Sequence, residues 1–65
     1  MMPSFTPDLK KALAAAGCYF VRHGKGHHEI WYSPITRVNF VVDATIKSRH
    51  TANAVCRQAG LPKGF

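Results

Sequence analysis

Two amphipathic segments, one towards each end of the chain, enclose a central stretch rich in aromatic and β-branched residues, and this order limits the possible folds. In both segments apolar residues recur at positions i, i+3, i+4 and i+7, which is the spacing of one buried helix face. The stripes are Leu9, Ala12, Leu13 and Ala16 in the first segment and Ala52, Val55, Cys56 and Ala59 in the second. The sequence therefore predicts two helices that each need an apolar surface to cover.

Residues that favour helix ends stand at the limits of both segments. Thr6 is expected to cap the first helix, and Gly17 allows the backbone to leave it. The first helix is therefore predicted over Pro7–Ala16. Ser48 is expected to cap the second helix, which Gly60 ends.

Three short runs between the helices have the composition of β-strands. They are Cys18–His23, His27–Ser33 and Arg37–Val42. Gly24-Lys25-Gly26 separates the first two runs, and Pro34-Ile35-Thr36 separates the last two. Connections this short join neighbouring antiparallel strands, so the sequence predicts a three-stranded meander.

The predicted order of elements is α-β-β-β-α, with residues 43–47 as a loop before the second helix. Two helices with narrow apolar stripes must bury them, and an antiparallel sheet has one face to offer. We therefore expect an α+β fold with both helices on one face of a three-stranded antiparallel sheet, the layout of the double-stranded-RNA-binding domain. Residues 1–65 are expected to form one domain, because a chain of this length has a single thin core.

The charge of the chain indicates a polyanionic partner. Its 65 residues include nine Lys and Arg but three Asp and Glu, which gives a formal net charge of +6. This excess favours nucleic acid or an acidic protein, because each phosphate neutralised by a cation releases condensed counterions. No apolar run approaches the roughly 20 residues that cross a bilayer. The N-terminus lacks the pattern of an export signal, so a cytoplasmic location is expected.

The cysteines and the other metal-type ligands show no ligand spacing. Cys18 and Cys56 are too few and too far apart for a disulfide framework or a zinc knuckle, so both are expected to be buried free thiols. His27 and His28 are adjacent on a predicted strand, where neighbouring side chains point to opposite faces. We therefore expect no metal site and no cofactor.

Histidines gather around the glycine loop between the first two predicted strands. His23, His27 and His28 flank this loop, whereas His50 lies in the second helix. RNA cleavage needs one group to deprotonate a 2′-hydroxyl and another to protonate the departing 5′-oxygen, and histidine can do either near neutral pH. The residues themselves leave two alternatives open, a polar hairpin end without function and RNA binding without cleavage.

Cations beside these histidines are candidates for phosphate binding. Lys25 lies in the loop, Arg22 precedes it, and Arg37 follows the next turn, so we expect the three to cluster near the histidines and to stabilise developing phosphate charge. Gly24 and Gly26 allow backbone N–H groups to approach a phosphate closely. Solvated helix faces are expected for the other cations considered, Lys10, Lys11 and Arg57.

The aromatic residues of the predicted strands divide between core and surface. Strand alternation predicts that Phe20, Phe40 and either Ile30 or Trp31 fill the side facing the helices. One or two exposed rings, Tyr32 or Trp31, are candidates for contact with RNA bases, since an aromatic face accepts any base.

Three segments resemble a known family. Gly24–Pro34, with the sequence GKGHHEIWYSP, resembles the glycine-serine-histidine strand segment of HicA-type toxins, the YcfA-like mRNA interferases of type II toxin–antitoxin modules. Ile46–Pro62 is similar to the last helix of that family, which closes on a Gln-Ala-Gly-Leu-like sequence. Leu9–Leu13, followed by Gly17 and Tyr19, matches the first helix and strand more loosely. Together the resemblance spans about residues 8–61.

The resemblance implies a double-stranded-RNA-binding-like fold that cleaves mRNA without a metal and is silenced by a cognate HicB-type antitoxin. The family histidine falls on His28, which is the first candidate for the catalytic acid/base. His27 occupies the position that is usually serine and is the second candidate. A non-catalytic RNA-binding module of the same fold is the alternative function.

Overall fold

A three-stranded sheet and two helices make up the fold. The computed structural model describes residues 4–62, 64 and 65. It contains α1 (Thr6–Ala15), β1 (Tyr19–His23), β2 (His28–Ser33), β3 (Val38–Asp43) and α2 (Arg49–Gln58). The strands pair antiparallel in the order β1-β2-β3, which confirms the predicted α-β-β-β-α fold.

The sheet has one covered face and one open face. Because side chains alternate along a strand, Trp31 of β2 and Phe40 and Val42 of β3 share a face, and all three are buried. His28 and Val41 lie on the other face, where they are exposed. Both helices therefore cover the same side of the sheet, as predicted.

A hydrophobic cluster joins the helices to the covered face. It consists of Leu9, Leu13, Cys18, Trp31, Phe40, Val42, Ile46, Ala52, Val55, Cys56 and Ala59. The predicted stripe of α2 is buried throughout. In α1 the prediction holds for Leu9 and Leu13, whereas Ala12 is exposed and Ala16 is half-buried. Ile46, which belongs to no predicted stripe, is 2% exposed and closes the core beneath the loop that precedes α2.

One predicted core aromatic is not buried. Phe20 is paired with Trp31 and so lies on the covered side of β1, yet it remains 43% exposed. β1 is at the edge of the sheet, and the helices pack mainly against β3 and against each other. Trp31 itself fills the core, so it is removed from the candidates for RNA contact, and Ile30 lies on the open face instead.

Both helices end at the predicted glycines. Gly17 and Gly60 have φ values of +93° and +82°, a backbone conformation that favours glycine. After α2, the Leu61 N–H donates to the Cys56 carbonyl at 2.8 Å, and the equivalent bond closes α1. These are the six-to-one bonds of the Schellman motif, which satisfies the last carbonyls of a helix.

The two helix beginnings differ from each other. The Ser48 hydroxyl accepts a hydrogen bond from the Thr51 N–H at 3.5 Å, so the predicted cap of α2 is confirmed. The predicted cap of α1 is wrong, because Thr6 is itself the first helical residue and its side chain turns inwards. Its hydroxyl donates to the Asp43 carbonyl at 3.2 Å and accepts from the Ile46 N–H at 2.9 Å. Thr6 is 5% exposed. Its hydroxyl therefore provides hydrogen-bond partners within the protein for two backbone groups of the loop, the Asp43 carbonyl and the Ile46 N–H.

The strand ends differ slightly from the predicted ones. Both connections are four residues long, at 24–27 and 34–37, so His27 and Arg37 belong to turns rather than to strands. Arg37 adopts a left-handed conformation with φ +59°. The extra residue in the turn at 34–37 shifts the pairing of β3 against β2 by one position, so that Ser33 lies opposite Val38.

Both cysteines are buried free thiols, as expected. Desolvation raises the pKa of the Cys56 thiol, so the neutral form is favoured in the core. Within residues 4–62, 64 and 65, no helix is long and apolar enough to span a bilayer.

Candidate functional site

His28 is placed at the start of β2 with its side chain on the open face of the sheet. Asp43, the last residue of β3, lies directly opposite in the β2–β3 register. The His28 Nε2 atom is 3.5 Å from Asp43 Oδ2, and the two side chains are 51% and 47% exposed. An imidazole and a carboxylate are thus held side by side at a surface that a large substrate can reach.

The Asp43 carboxylate is oriented by the backbone N–H of Thr45. Its Oδ1 atom accepts a hydrogen bond from the Thr45 N–H at 3.1 Å, which leaves Oδ2 directed towards His28. The Thr6 hydroxyl donates a hydrogen bond to the Asp43 carbonyl, so the first turn of α1 is bonded to the end of β3. The position of the carboxylate therefore depends on the helix layer as well as on the sheet.

The hairpin between β1 and β2 brings the glycine loop next to His28. The Gly24 N–H donates to the His28 carbonyl at 2.8 Å, and the His28 N–H donates to the Lys25 carbonyl at 3.1 Å. Gly26 makes this tight turn possible with φ +61°. His27 is exposed within the turn, and its carbonyl accepts from the Ala44 N–H at 2.9 Å. This last bond ties the hairpin to the end of β3 beside Asp43.

Two of the three predicted phosphate-binding cations lie at this end of the sheet. Arg22 pairs with Ile30, two residues from His28 on the open face, and Lys25 is exposed in the adjoining turn. The predicted clustering is wrong for Arg37, which lies in the β2–β3 turn at the opposite end of the sheet. Successive turns of a meander occupy opposite ends, so Arg37 is a full strand length from His28.

A β-bulge determines what surrounds Arg22. The register of β1 against β2 shifts between Phe20 and Arg22, so Val21 is an extra residue in the ladder. Three positions separate Tyr19 from Arg22, and in a regular strand they would lie on opposite faces. The bulge places both on the open face, where Tyr19 pairs with Tyr32.

The other two histidines lie away from this group. His23 pairs with Glu29 on the covered side of the sheet, and its ring contacts Phe20 with centroids 5.1 Å apart. His50 lies on the exposed surface of α2, in a groove that it lines with Asn53 and Arg57. Among the described residues, no three His, Cys, Asp or Glu side chains come together as metal ligands.

Glu29, next to His28 in sequence, is a structural residue on the covered side. It accepts hydrogen bonds from the Trp31 indole N–H at 2.9 Å and from the Lys10 ammonium at 3.1 Å. The indole bond first and then the Lys10 cation lower the pKa of Glu29, against partial burial, which acts in the opposite direction. Lys10, expected on a solvated helix face, therefore ties α1 to the sheet.

Sequence reasoning missed Asp43 and Tyr19 as members of the open face. The sequence predicts Asp43 in a loop, whereas β3 extends to it, and the burial of Phe40 and Val42 alternates with the open-face positions Val41 and Asp43. The signal for Tyr19 is absent from the local sequence, because a bulge at Val21 has no distinctive residue such as glycine.

The fold and this site define a class: a small, basic α+β protein with a histidine–carboxylate pair on the open face of its sheet. The family model described as HicA toxin of bacterial toxin–antitoxin matches residues 6–61, and the chain belongs to this family. It is accordingly a toxin of a toxin–antitoxin module, with an antitoxin as its partner. No curated protein and no solved structure matches the chain.

Proposed function

We propose that this toxin is an endoribonuclease that cleaves mRNA, and that His28 is its catalytic acid/base. The observation that carries the proposal is the exposed His28 imidazole, whose Nε2 lies 3.5 Å from Asp43 Oδ2 beside the Lys25 turn. The pair is at the surface, at the positively charged end of an open sheet, where an RNA phosphate can approach it.

The reaction begins with attack of a 2′-hydroxyl on the neighbouring phosphorus. Neutral His28 accepts the hydroxyl proton as the new bond from O2′ to phosphorus forms. The bond from phosphorus to O5′ then breaks, which leaves a 2′,3′-cyclic phosphate on one fragment and a 5′-oxygen that must be protonated on the other. Asp43 Oδ2, 3.5 Å from His28 Nε2, attracts the positive charge that the imidazole gains when it accepts this proton.

Protonation of the 5′-oxygen requires a second group. His27 occupies the turn next to His28 and is exposed, so it can supply this proton, as can water. His50, on the surface of α2, belongs to the helix layer rather than to the open face. His27 is therefore the second residue of the proposed site.

Arg22 and Lys25 stabilise the negative charge that develops on the phosphate. Both are cationic and exposed at the His28 end of the sheet, and the Gly24 and Gly26 backbone in the same turn has no side chain that would hinder a phosphate. Arg37 contributes to RNA binding at the far end of the sheet. No metal ion takes part in the proposed step.

We propose a HicB-like protein as the antitoxin, acting on this toxin in the cytoplasm. It covers His28 and the turn that contains Lys25, and it presents carboxylates to Lys25 and Arg22. Association between such charge-complementary surfaces is fast at low salt and slows as salt is added.

The test compares the parent protein, His28→Ala and His27→Ala on one defined transcript in EDTA. We expect the parent to generate fragments with 5′-hydroxyl ends, His28→Ala to lose about 10²-fold or more of the rate, and His27→Ala to lose less. Cleavage by His28→Ala at the parental rate would contradict the assignment of His28. RNA binding by the parent without any cleavage would instead identify a non-catalytic RNA-binding module.

A further inference from the structure

The open face carries an aromatic pair that the proposed cleavage step does not use. Tyr19 of β1 and Tyr32 of β2 face each other across the sheet, with ring centroids 5.5 Å apart and planes inclined by 43°. Tyr19 is 56% exposed, the highest value among the exposed large apolar side chains of the described residues. More than half of the surface of Tyr19 is therefore accessible to another group.

The pair lies on the same face as His28, at a distance along β2 that suits a bound strand. Tyr32 is four residues beyond His28, which corresponds to about 13 Å at the rise of an antiparallel strand. Ile30 lies between them, with Arg22 beside it on β1 and Val41 beside it on β3. The face thus presents a cation and apolar groups between the histidine and the tyrosines.

We propose that the Tyr19–Tyr32 pair is a stacking site for a base of single-stranded RNA whose scissile phosphate lies at His28. This inference rests on the proposed function, because it takes His28 as the site of cleavage. The RNA strand follows β2, with Arg22 neutralising a phosphate between the two sites. RNA-binding sheets of other folds stack about two or three bases on exposed strand aromatics, which is a comparable length of strand.

The chemistry of the face favours a single strand over a duplex. A base that stacks on a protein ring must be free of its own stacking partners, and in a duplex both faces of each base are occupied. Aromatic stacking accepts any base, so the pair supplies affinity and position with little sequence preference. The charge of the open face also suits an RNA strand. Among the described residues, Asp43 is the only carboxylate on this face, and it is already paired with His28.

The test measures binding separately from cleavage. The probe is a 2′-O-methyl oligoribonucleotide, which lacks the attacking hydroxyl, with the fluorescent base 2-aminopurine placed at successive positions. We expect quenching at one or two adjacent positions, since stacking on an aromatic ring quenches this base. Tyr19→Leu should weaken binding by about 5- to 100-fold and abolish the local quenching, whereas Tyr19→Phe should stay within about twofold of the parent.

Phe20→Leu is the matched control. Phe20 is the next residue on β1, is 43% exposed and points to the opposite side of the sheet. Its substitution should leave oligonucleotide affinity unchanged. If Tyr19→Leu unfolds, as judged by circular dichroism, Tyr32→Leu replaces it, with the same expected loss.

Two results would overturn the stacking site. One is a folded Tyr19→Leu variant that binds the oligonucleotide as tightly as the parent does, even where His28-dependent cleavage is intact. The other is a Tyr19→Leu variant that loses affinity for the antitoxin but not for RNA, which would make this face a protein interface. Binding that depends on Tyr19 in a protein that cleaves nothing would support the stacking site and contradict the proposed nuclease activity.

Discussion

The His28 imidazole and the Asp43 carboxylate meet, Nε2 to Oδ2 at 3.5 Å, because β2 and β3 place the two residues directly opposite each other. Neither residue is buried, so burial does not hold them together. The register of the hairpin does so, together with two hydrogen bonds: the Thr45 N–H donates to Asp43 Oδ1, and the Thr6 hydroxyl donates to the Asp43 carbonyl. Sheet, loop and helix therefore combine to position one exposed pair.

Removing the Asp43 charge should slow cleavage without weakening RNA binding. Asp43→Asn keeps the size of the side chain but no longer stabilises an imidazolium, so we expect kcat to fall about tenfold with KM little changed, less than the loss from removing the histidine itself. Asp8→Asn is the control, since Asp8 is an exposed carboxylate in the first turn of α1. An equal fall in kcat for both variants would argue against a role of the Asp43 charge in cleavage.

Neutralising the cations near His28 should reduce the salt dependence of RNA binding. Arg22→Gln and Lys25→Gln each remove one proposed phosphate contact, so we expect weaker binding and a slope of log affinity against log salt reduced by about one. Lys11→Gln makes the same charge change on the exposed surface of α1 and should leave the slope unchanged. The slopes of all three variants are measured by titrating one oligonucleotide at several salt concentrations. An unaltered slope for Arg22→Gln and Lys25→Gln would exclude contact between these two side chains and the RNA phosphates.

Acid should destabilise the parent more than a Glu29→Gln variant. The pKa of Glu29 is lowered in the folded protein, so its contribution is present above the ordinary value of 4.5 and is lost as pH falls through the lower folded value. Glu29→Gln keeps an acceptor for the Trp31 indole but removes the attraction to Lys10, so we expect a loss of about 1 kcal/mol at pH 7. Urea unfolding between pH 3 and pH 7 should show the two stabilities converging in acid. A difference independent of pH would contradict this role of the charge.

Gly60→Ala should be far more destabilising than Gly26→Ala. A Cβ at Gly60 would lie 2.6 Å from Ile35 Cγ2 and 2.9 Å from Thr36 Cγ2, whereas one at Gly26 would meet nothing within 4 Å. Both glycines have positive φ, so each substitution has a backbone cost of about 1 kcal/mol. Overpacking adds roughly 1–3 kcal/mol at Gly60 alone. Equal losses in the free energy of unfolding for the two variants would contradict this prediction, because they would show that the β2–β3 turn moves to accommodate the added methyl group without a cost.

The helices and the order of elements were predictable because their signals are local. The stripe of α2, the Ser48 cap and both terminal glycines each depend on residues within one or two turns of the chain. The histidines around the glycine loop were likewise predictable as candidates, since that loop indicates a hairpin, and the resemblance to the family selected His28 among them. The Thr6 cap failed because the burial of that hydroxyl depends on the distant Asp43–Ile46 loop.

The partner of His28 was not predictable, because it depends on a single turn residue. With a three-residue connection after Ser33, the register would place His28 opposite Val42; the four-residue turn places it opposite Asp43. A shift of one residue exchanges the two faces of a strand, so it decides whether an apolar or an acidic side chain adjoins the imidazole. The bulge at Val21 has a similar effect, since it alone brings Tyr19 and Arg22 to one face.

The sequence by itself determined which elements form, where the helices end and that a histidine adjoins a basic glycine turn. Periodicity, helix caps and positive-φ glycines act over a few residues, so they can be recognised along the chain. Only the tertiary structure decided which side chains share the open face with His28. The strand register and the bulge are selected by the packing of the whole sheet against its helices. The free energy of this packing comes from contacts between residues far apart in the chain, so it cannot be recognised from a local segment.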